Sequence, residues 1–249
     1  MITLYRAEVL DGQPLQPAVR FTCCPSAQAD LTRSDRAASG TLKECRLPPG
    51  AALPPDEHHQ AEIVTYVCDG SLAYEDSNGT SGVIHAGEFQ RTTTGPRLRR
   101  LETNASPTLW THLFQLRLHA LTDEFDNDHE QKRFSAAQRR GLLCVVASRD
   151  GRRDSLRLHH DVMMQSALLD EGQHLVHQLL PGRKAWLHLV AGEVALGDDV
   201  LSIGDGAAVE AERAVSLTAC AETEILLLEL RAGPSRGVSS LRHSHPAHA

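Results

Sequence analysis

Asp56-Glu57-His58-His59-Gln60-Ala61-Glu62-Ile63-Val64-Thr65-Tyr66-Val67-Cys68-Asp69-Gly70 is the stretch that decides the fold. Glu62 to Cys68 is rich in β-branched residues and reads as a strand. Asp69-Gly70 tolerates the positive φ that a tight hairpin needs, and Ser71 to Glu75 is the return. Ser77-Asn78-Gly79 turns again, Gly82 to His85 is the next strand, and Ala86-Gly87-Glu88-Phe89 leads into Gln90 to Thr93. Leu109 to Leu118 alternates well enough to close the sheet. Short strands at close spacing, parted by turns, predict an antiparallel barrel or sandwich.

The same order recurs downstream. Ala185 to Val190, the turn Ala191-Gly192 and the return Glu193 to Leu196 answer the first hairpin, with Gly192 equivalent to Gly70. Val200 to Ile203 follows, Gly204-Asp205-Gly206 answers Ala86-Gly87-Glu88, and Val215 to Ala219 and Glu224 to Leu230 finish the sheet. Two related β-domains are therefore expected, over residues 1–121 and 141–231. The charged segment 122–140 between them reads as an exposed connector with one short helix. The tail 232–249 is Gly/Ser/Pro/His-rich and expected to be disordered, with His243, His245 and His248 solvated.

With 249 residues the chain is long enough for two such domains. Aromatics make up only 4%, so the cores must rest on Leu, Val, Ile and Ala. A net charge of −7 argues against a nucleic-acid binder working through a basic surface. No apolar run of about 18 residues is present, so no membrane span is expected. The first residues do not read as a secretory signal, and residence in the cytoplasm is expected. The six cysteines include no CxxC pair, and reduced thiols are expected. The adjacent Cys23-Cys24 reads as two small residues near a strand, with a redox role as the alternative. No Ser/His/Asp nucleophile, phosphate-cradling loop or dinucleotide fingerprint is evident.

Residues two apart on a strand face the same way. Asp56 and His58 then share one face, and so do Arg100 and Glu102. If the two strands meet, four polar groups converge inside an apolar barrel, where burial is costly without pairing or a metal. Asp56, His58 and Glu102 could supply three metal ligands. Arg100 could not, because a guanidinium has no lone pair to donate. One reading makes Arg100 a surrogate for the metal cation, paired with Asp56 and Glu102. In the other, a bulge turns Arg100 to solvent and leaves a three-ligand site, and a register slip could exchange His58 for His59. A metal-free acid–base role for Asp56, His58 and Glu102 is a third possibility. His174 and His177 are three apart, fall on opposite strand faces, and read as structural.

These motifs resemble the pirins, two-domain cupins also called bicupins. The family pattern His-Pro-His-x-x-x-Glu-Ile-Val-Thr-Tyr-Val-x-x-Gly falls on Asp56 to Gly70. Tyr74 to Gly79, Ala86 to Gln90, Glu130 to Phe134 and Asp205 to Ala208 are also similar to pirin segments. The usual signatures of the first forty residues are missing. The resemblance implies an all-β chain of two tandem cupin barrels. The family's metal is held by three His and one Glu, which fall on Asp56 (His expected), His58, Arg100 (His expected) and Glu102, with His59 and Glu62 supporting them from behind. It further implies a divalent metal, iron above others, bound weakly or lost altogether. The function expected is a non-catalytic or regulatory pirin that binds a small aromatic ligand or a protein partner as a monomer. The alternative is a metal-dependent oxidoreductase of the quercetin 2,3-dioxygenase type with altered ligands. In the family the second barrel usually carries no metal.

Overall fold

The computed structural model describes residues 1–7, 18–23, 40–54, 61–95, 98–119 and 127–231. The first barrel is made of two sheets. The larger holds β2 (Ala18–Cys23), β3 (Gly40–Leu47), β4 (Ala61–Asp69), β7 (Glu88–Thr94), β9 (Thr111–His119) and β10 (Asp128–Arg133), in the order β10-β7-β4-β9-β3-β2. The smaller holds β5 (Ser71–Asp76), β6 (Ser81–His85) and β8 (Arg100–Asn104), with β5 in the middle. Cys45, Leu47, Val67, Leu72, Ile84 and Leu113 fill the space between them.

The second barrel repeats the plan. Its larger sheet holds β1 (Ile2–Tyr5), β11 (Cys144–Ser148), β12 (Leu156–Arg157), β13 (Val162–Leu169), β15 (Arg183–Ala191), β18 (Gly206–Val209) and β20 (Thr223–Arg231), in the order β1-β18-β15-β20-β13-β11-β12. Its smaller sheet is β14 (His174–Gln178), β19 (Ala214–Ala219), β16 (Glu193–Leu196) and β17 (Asp199–Ser202). The core here is almost wholly Leu, Val, Ile and Ala.

The two large sheets pack face to face, because strands such as β4 and β20 are buried on both sides. Ile63 apart, every residue from Ala61 to Val67 is buried, and alternate residues serve the barrel and the interface. The scarce aromatics gather at that interface. Tyr66 stacks on Phe89 at 4.1 Å, Phe134 meets Phe89 edge-on at 5.5 Å, and Phe114 and Trp186 belong to the same cluster. Full burial of one such ring contributes about 1.5–3 kcal/mol, so the interface holds the halves together like a third core.

Two elements depart from the expected boundaries. Residues 2–5 do not join the first barrel: Ile2↔Val209 through Tyr5↔Gly206 add β1 to the sheet of the second. Part of the expected connector is a strand, since Asp128–Arg133 pairs along β7, and the expected short helix follows at Ala136–Arg139. The charge that suggested a loop suits a sheet edge, where charged side chains discourage further pairing. Arg91 and Asp128 form an ion pair across that edge at 2.7 Å. Among the described residues no helix is long and apolar enough to cross a membrane. Cys45, Cys68, Cys144 and Cys220 are free thiols. Cys24 and the His-rich tail lie outside the described residues, as does the side chain of Cys23.

Candidate functional site

Strand β8 carries Arg100 and Glu102 on its inner face, while Leu101 between them is exposed. The Arg100 side chain is 10% exposed and that of Glu102 14%, so the pair is largely removed from water. Arg100 Nε donates to Glu102 Oε1 at 3.1 Å, and its Nη2 donates to Gln90 Oε1 on β7. Its guanidinium carbon sits 4.0 Å above the centre of the Tyr74 ring on β5, a cation–π placement. The other oxygen, Glu102 Oε2, accepts from Gln115 Nε2 on β9 at 2.9 Å, and Gln115 reaches Thr65 Oγ1 on β4 at 3.3 Å. Gln90 is held in turn by Thr92 at 3.2 Å and by Gln131 at 2.9 Å. Five strands of the first barrel thus meet on one continuous polar row.

Both oxygens of Glu102 are occupied, one by a permanent cation. Arg100 has no lone pair to give a metal, and its charge opposes a cation placed beside Glu102. Among the described residues no cluster of three or more His, Cys, Asp or Glu could hold a metal ion. Asp56, His58 and His59 lie outside the described residues.

Glu62 does not support this site, contrary to the expectation. It is three residues from the inward-facing Thr65, so strand alternation turns it to the other face of β4. There it is fully buried against the second domain. Its carboxylate accepts from the backbone N–H groups of His159 at 2.9 Å and His160 at 3.2 Å. His159 Nδ1 and His160 Nδ1 lie 3.0 and 2.6 Å from its two oxygens. His160 Nε2 is 2.7 Å from the carbonyl of His119, back in the first domain. Burial pushes the Glu62 carboxyl up, but the bonds from His160 and His159 outweigh it and hold the group below the ordinary carboxylate range.

Tyr66, on the same face of β4, makes a second polar tie. Its hydroxyl donates to Glu224 on β20 and accepts from Arg139 Nη1 at 3.0 Å. Arg139 also donates to Glu224 at 2.6 Å and to Ser166 at 3.1 Å. Burial and the neighbouring Glu224 push the Tyr66 hydroxyl well up. Two polar residues of the Glu-Ile-Val-Thr-Tyr-Val segment therefore fasten the domains together. Their partners His159, His160, Arg139 and Glu224 carried no signal beyond the adjacent histidines, because the contacts are long-range.

Two small-core antiparallel barrels in tandem, repeating one hairpin plan, define a bicupin. Residues 18–118 match the pirin family, and residues 145–230 match the quercetinase C-terminal cupin domain. The chain belongs to the pirin family. It is 35% identical over 173 residues to a quercetin 2,3-dioxygenase of Escherichia coli K12, covering 70% of this chain and 74% of that protein. It is 28% identical over 184 residues to a pirin-like protein of Caulobacter vibrioides, covering 74% and 79%. Among solved structures it is similar to the bacterial pirin YhhW from Escherichia coli in complex with nickel(II). That match has 27% identity and a TM-score of 0.78, and covers 93% of this chain and 100% of that one.

Proposed function

We propose that this pirin is non-catalytic or regulatory, with its first-barrel site closed by Arg100 acting as the metal's surrogate. It would act in the cytoplasm by binding a small aromatic molecule or a protein partner. The observation that carries this reading is the Arg100–Glu102 pair: the carboxylate matching a family ligand is spent on a guanidinium matching another. Asp56 would complete the neutralisation of Arg100, with His58 beside it.

The second reading, favoured by the relatives named quercetin 2,3-dioxygenase, is a metal-dependent oxygenase using Asp56, His58 and Glu102 as altered ligands, with iron the first metal to consider. Metal content separates the two. It is measured on the full chain with His243, His245 and His248 replaced by Ala, so that the tail adds no metal. We expect no stoichiometric metal after reconstitution with iron, manganese, nickel or copper. The Asp56→His/Arg100→His variant should gain it. Stoichiometric metal in the parent chain, with flavonol-dependent oxygen uptake that disappears in His58→Ala and Glu102→Ala, would establish the oxygenase instead.

A further inference from the structure

Leucine, valine, isoleucine and alanine fill the second barrel up to its open end, where three polar side chains converge. Glu229 on β20 and Gln165 on β13 are buried, and His177 on β14 is partly so. His177 Nε2 lies 2.7 Å from Glu229 Oε1, and Gln165 Nε2 donates to the same oxygen at 3.0 Å. At 2.7 Å from an acceptor-only carboxylate, Nε2 is the protonated nitrogen. The 3.5 Å approach of Gln165 Nε2 to the same ring nitrogen is too long to compete. Glu229 thus positions both neighbours by taking up their donors. What a neutral His177 and Gln165 have left are two acceptors, Nδ1 and Oε1, neither with a hydrogen-bond partner among the described residues.

Both side chains line a cavity of about 500 Å³, and Leu143, Leu175 and Met163 give it an apolar wall. Arg152 and Arg153 line it as well. Arg152 is claimed by Asp150, with bonds of 3.0 and 2.9 Å from its Nε. Arg153 has no ion-pair partner among the described residues. It is held at φ 54°, ψ 34°, next to Asp154 at φ 58°. Consecutive non-glycine residues in the left-handed region are uncommon, and such strain collects at ligand clamps. Here it belongs to the residue that brings a guanidinium to the cavity lining.

We infer that this cavity is a second binding site, independent of the first barrel, for a small hydroxylated aromatic carboxylate. Hydroxyl groups donate to His177 Nδ1 and Gln165 Oε1, the ring lies against Leu143, Leu175 and Met163, and the carboxylate pairs with Arg153. The arrangement is that of a small-molecule pocket: apolar walls, few polar groups, convergent geometry.

The test is calorimetric titration of the full chain, without added metal, using 3,4-dihydroxybenzoate. Saturable binding is expected, about tenfold weaker in Arg153→Ala, the loss of one charge-assisted contact. His177→Phe should weaken it by a similar factor, and benzoate should bind the parent chain more weakly than the dihydroxy acid. Arg153 is exposed, so its variant folds and keeps the test decisive even if His177→Phe does not. No saturable binding at millimolar concentration, or affinity unchanged in Arg153→Ala, would overturn the assignment. The second outcome would place the acid elsewhere. Neither bears on the state of Arg100, which metal analysis reads separately.

Discussion

In the first barrel Thr65, Gln115 and Glu102 form a hydrogen-bonded row that ends on Arg100. The second barrel keeps the register, Thr65↔Gln115 answering Leu187↔Leu227, but replaces the row by Leu187, Leu227, Leu217 and Val215. All four are buried. The scaffold is therefore equally content with leucine in this layer, and packing alone gives no reason for the polar row. Desolvating it is costly, so a role beyond stability is the economical explanation. The second barrel moves its polar residues outward to Gln165, His177 and Glu229 at the open end.

The largest expected effect lies where the barrels differ on their outer faces. Glu62 matches Lys184 in register, opposite Leu118 and Leu230 respectively. Glu62 is fully buried and bonded to four nitrogens of His159 and His160, whereas Lys184 reaches Glu210 only at 3.7 Å. Glu62→Ala should lose about 3–5 kcal/mol in urea denaturation, as breaking a buried ionic network does. Lys184→Ala should lose under about 1 kcal/mol. The Glu62 carboxyl is held below its ordinary value in the folded chain. Its contribution is then complete above the unfolded value of about 4.3 and fades as pH falls through the folded one. The gap between parent and Glu62→Ala should narrow in acid; a gap constant down to strongly acidic pH would refute the assignment.

Next come the inner faces. Arg100→Ala leaves Glu102 with Gln115 alone and should cost about 2–4 kcal/mol, a little below a fully buried pair. Arg100→Val/Glu102→Leu, which copies the second barrel at these two positions, should recover part of that loss, because the ion pair is exchanged as a unit while Gln90 and Gln115 each lose one partner. Should the double variant be as unstable as Arg100→Ala, the two barrels would not be interchangeable in this layer.

Much of this was readable in the sequence. Alternation and turn residues place most strands from β4 to β9 and from β15 to β20, and parity puts Arg100 with Glu102 and parts His174 from His177. Parity also separates Glu62 from Thr65. Local pattern does not say what faces a strand. That β1 crosses to the second sheet, that Glu62 meets His159 and His160, and that His177 meets Glu229 all depend on pairing between distant segments. β10 was hidden because its residues obey the rules of an exposed edge, which locally match those of a loop.

The smallest effect sought is a difference near zero, and it tests the equivalence on which the comparison rests. Gly70 and Gly192 turn the matching hairpins at φ +77° and +79°. A Cβ on Gly70 would lie 2.5 Å from Trp110 O and 2.6 Å from Thr111 Oγ1; on Gly192, 2.3 Å from Glu222 O and 2.4 Å from Thr223 Oγ1. Each threonine clamps the residue after its glycine in the same way. Thr111 Oγ1 accepts from Ser71 N and donates to Ser71 O at 3.1 and 2.9 Å. Thr223 Oγ1 does so with Glu193 at 3.1 and 2.9 Å. The left-handed conformation alone costs an alanine about 1–2 kcal/mol, and the backbone carbonyl must also shift. Gly70→Ala and Gly192→Ala should each cost about 2 kcal/mol in urea denaturation, agree within about 0.5 kcal/mol, and add in the double variant. A tolerant Gly192→Ala beside a damaging Gly70→Ala would mean the hairpins share a shape but not a mechanism, and the residue-by-residue matching of the barrels would fail with it.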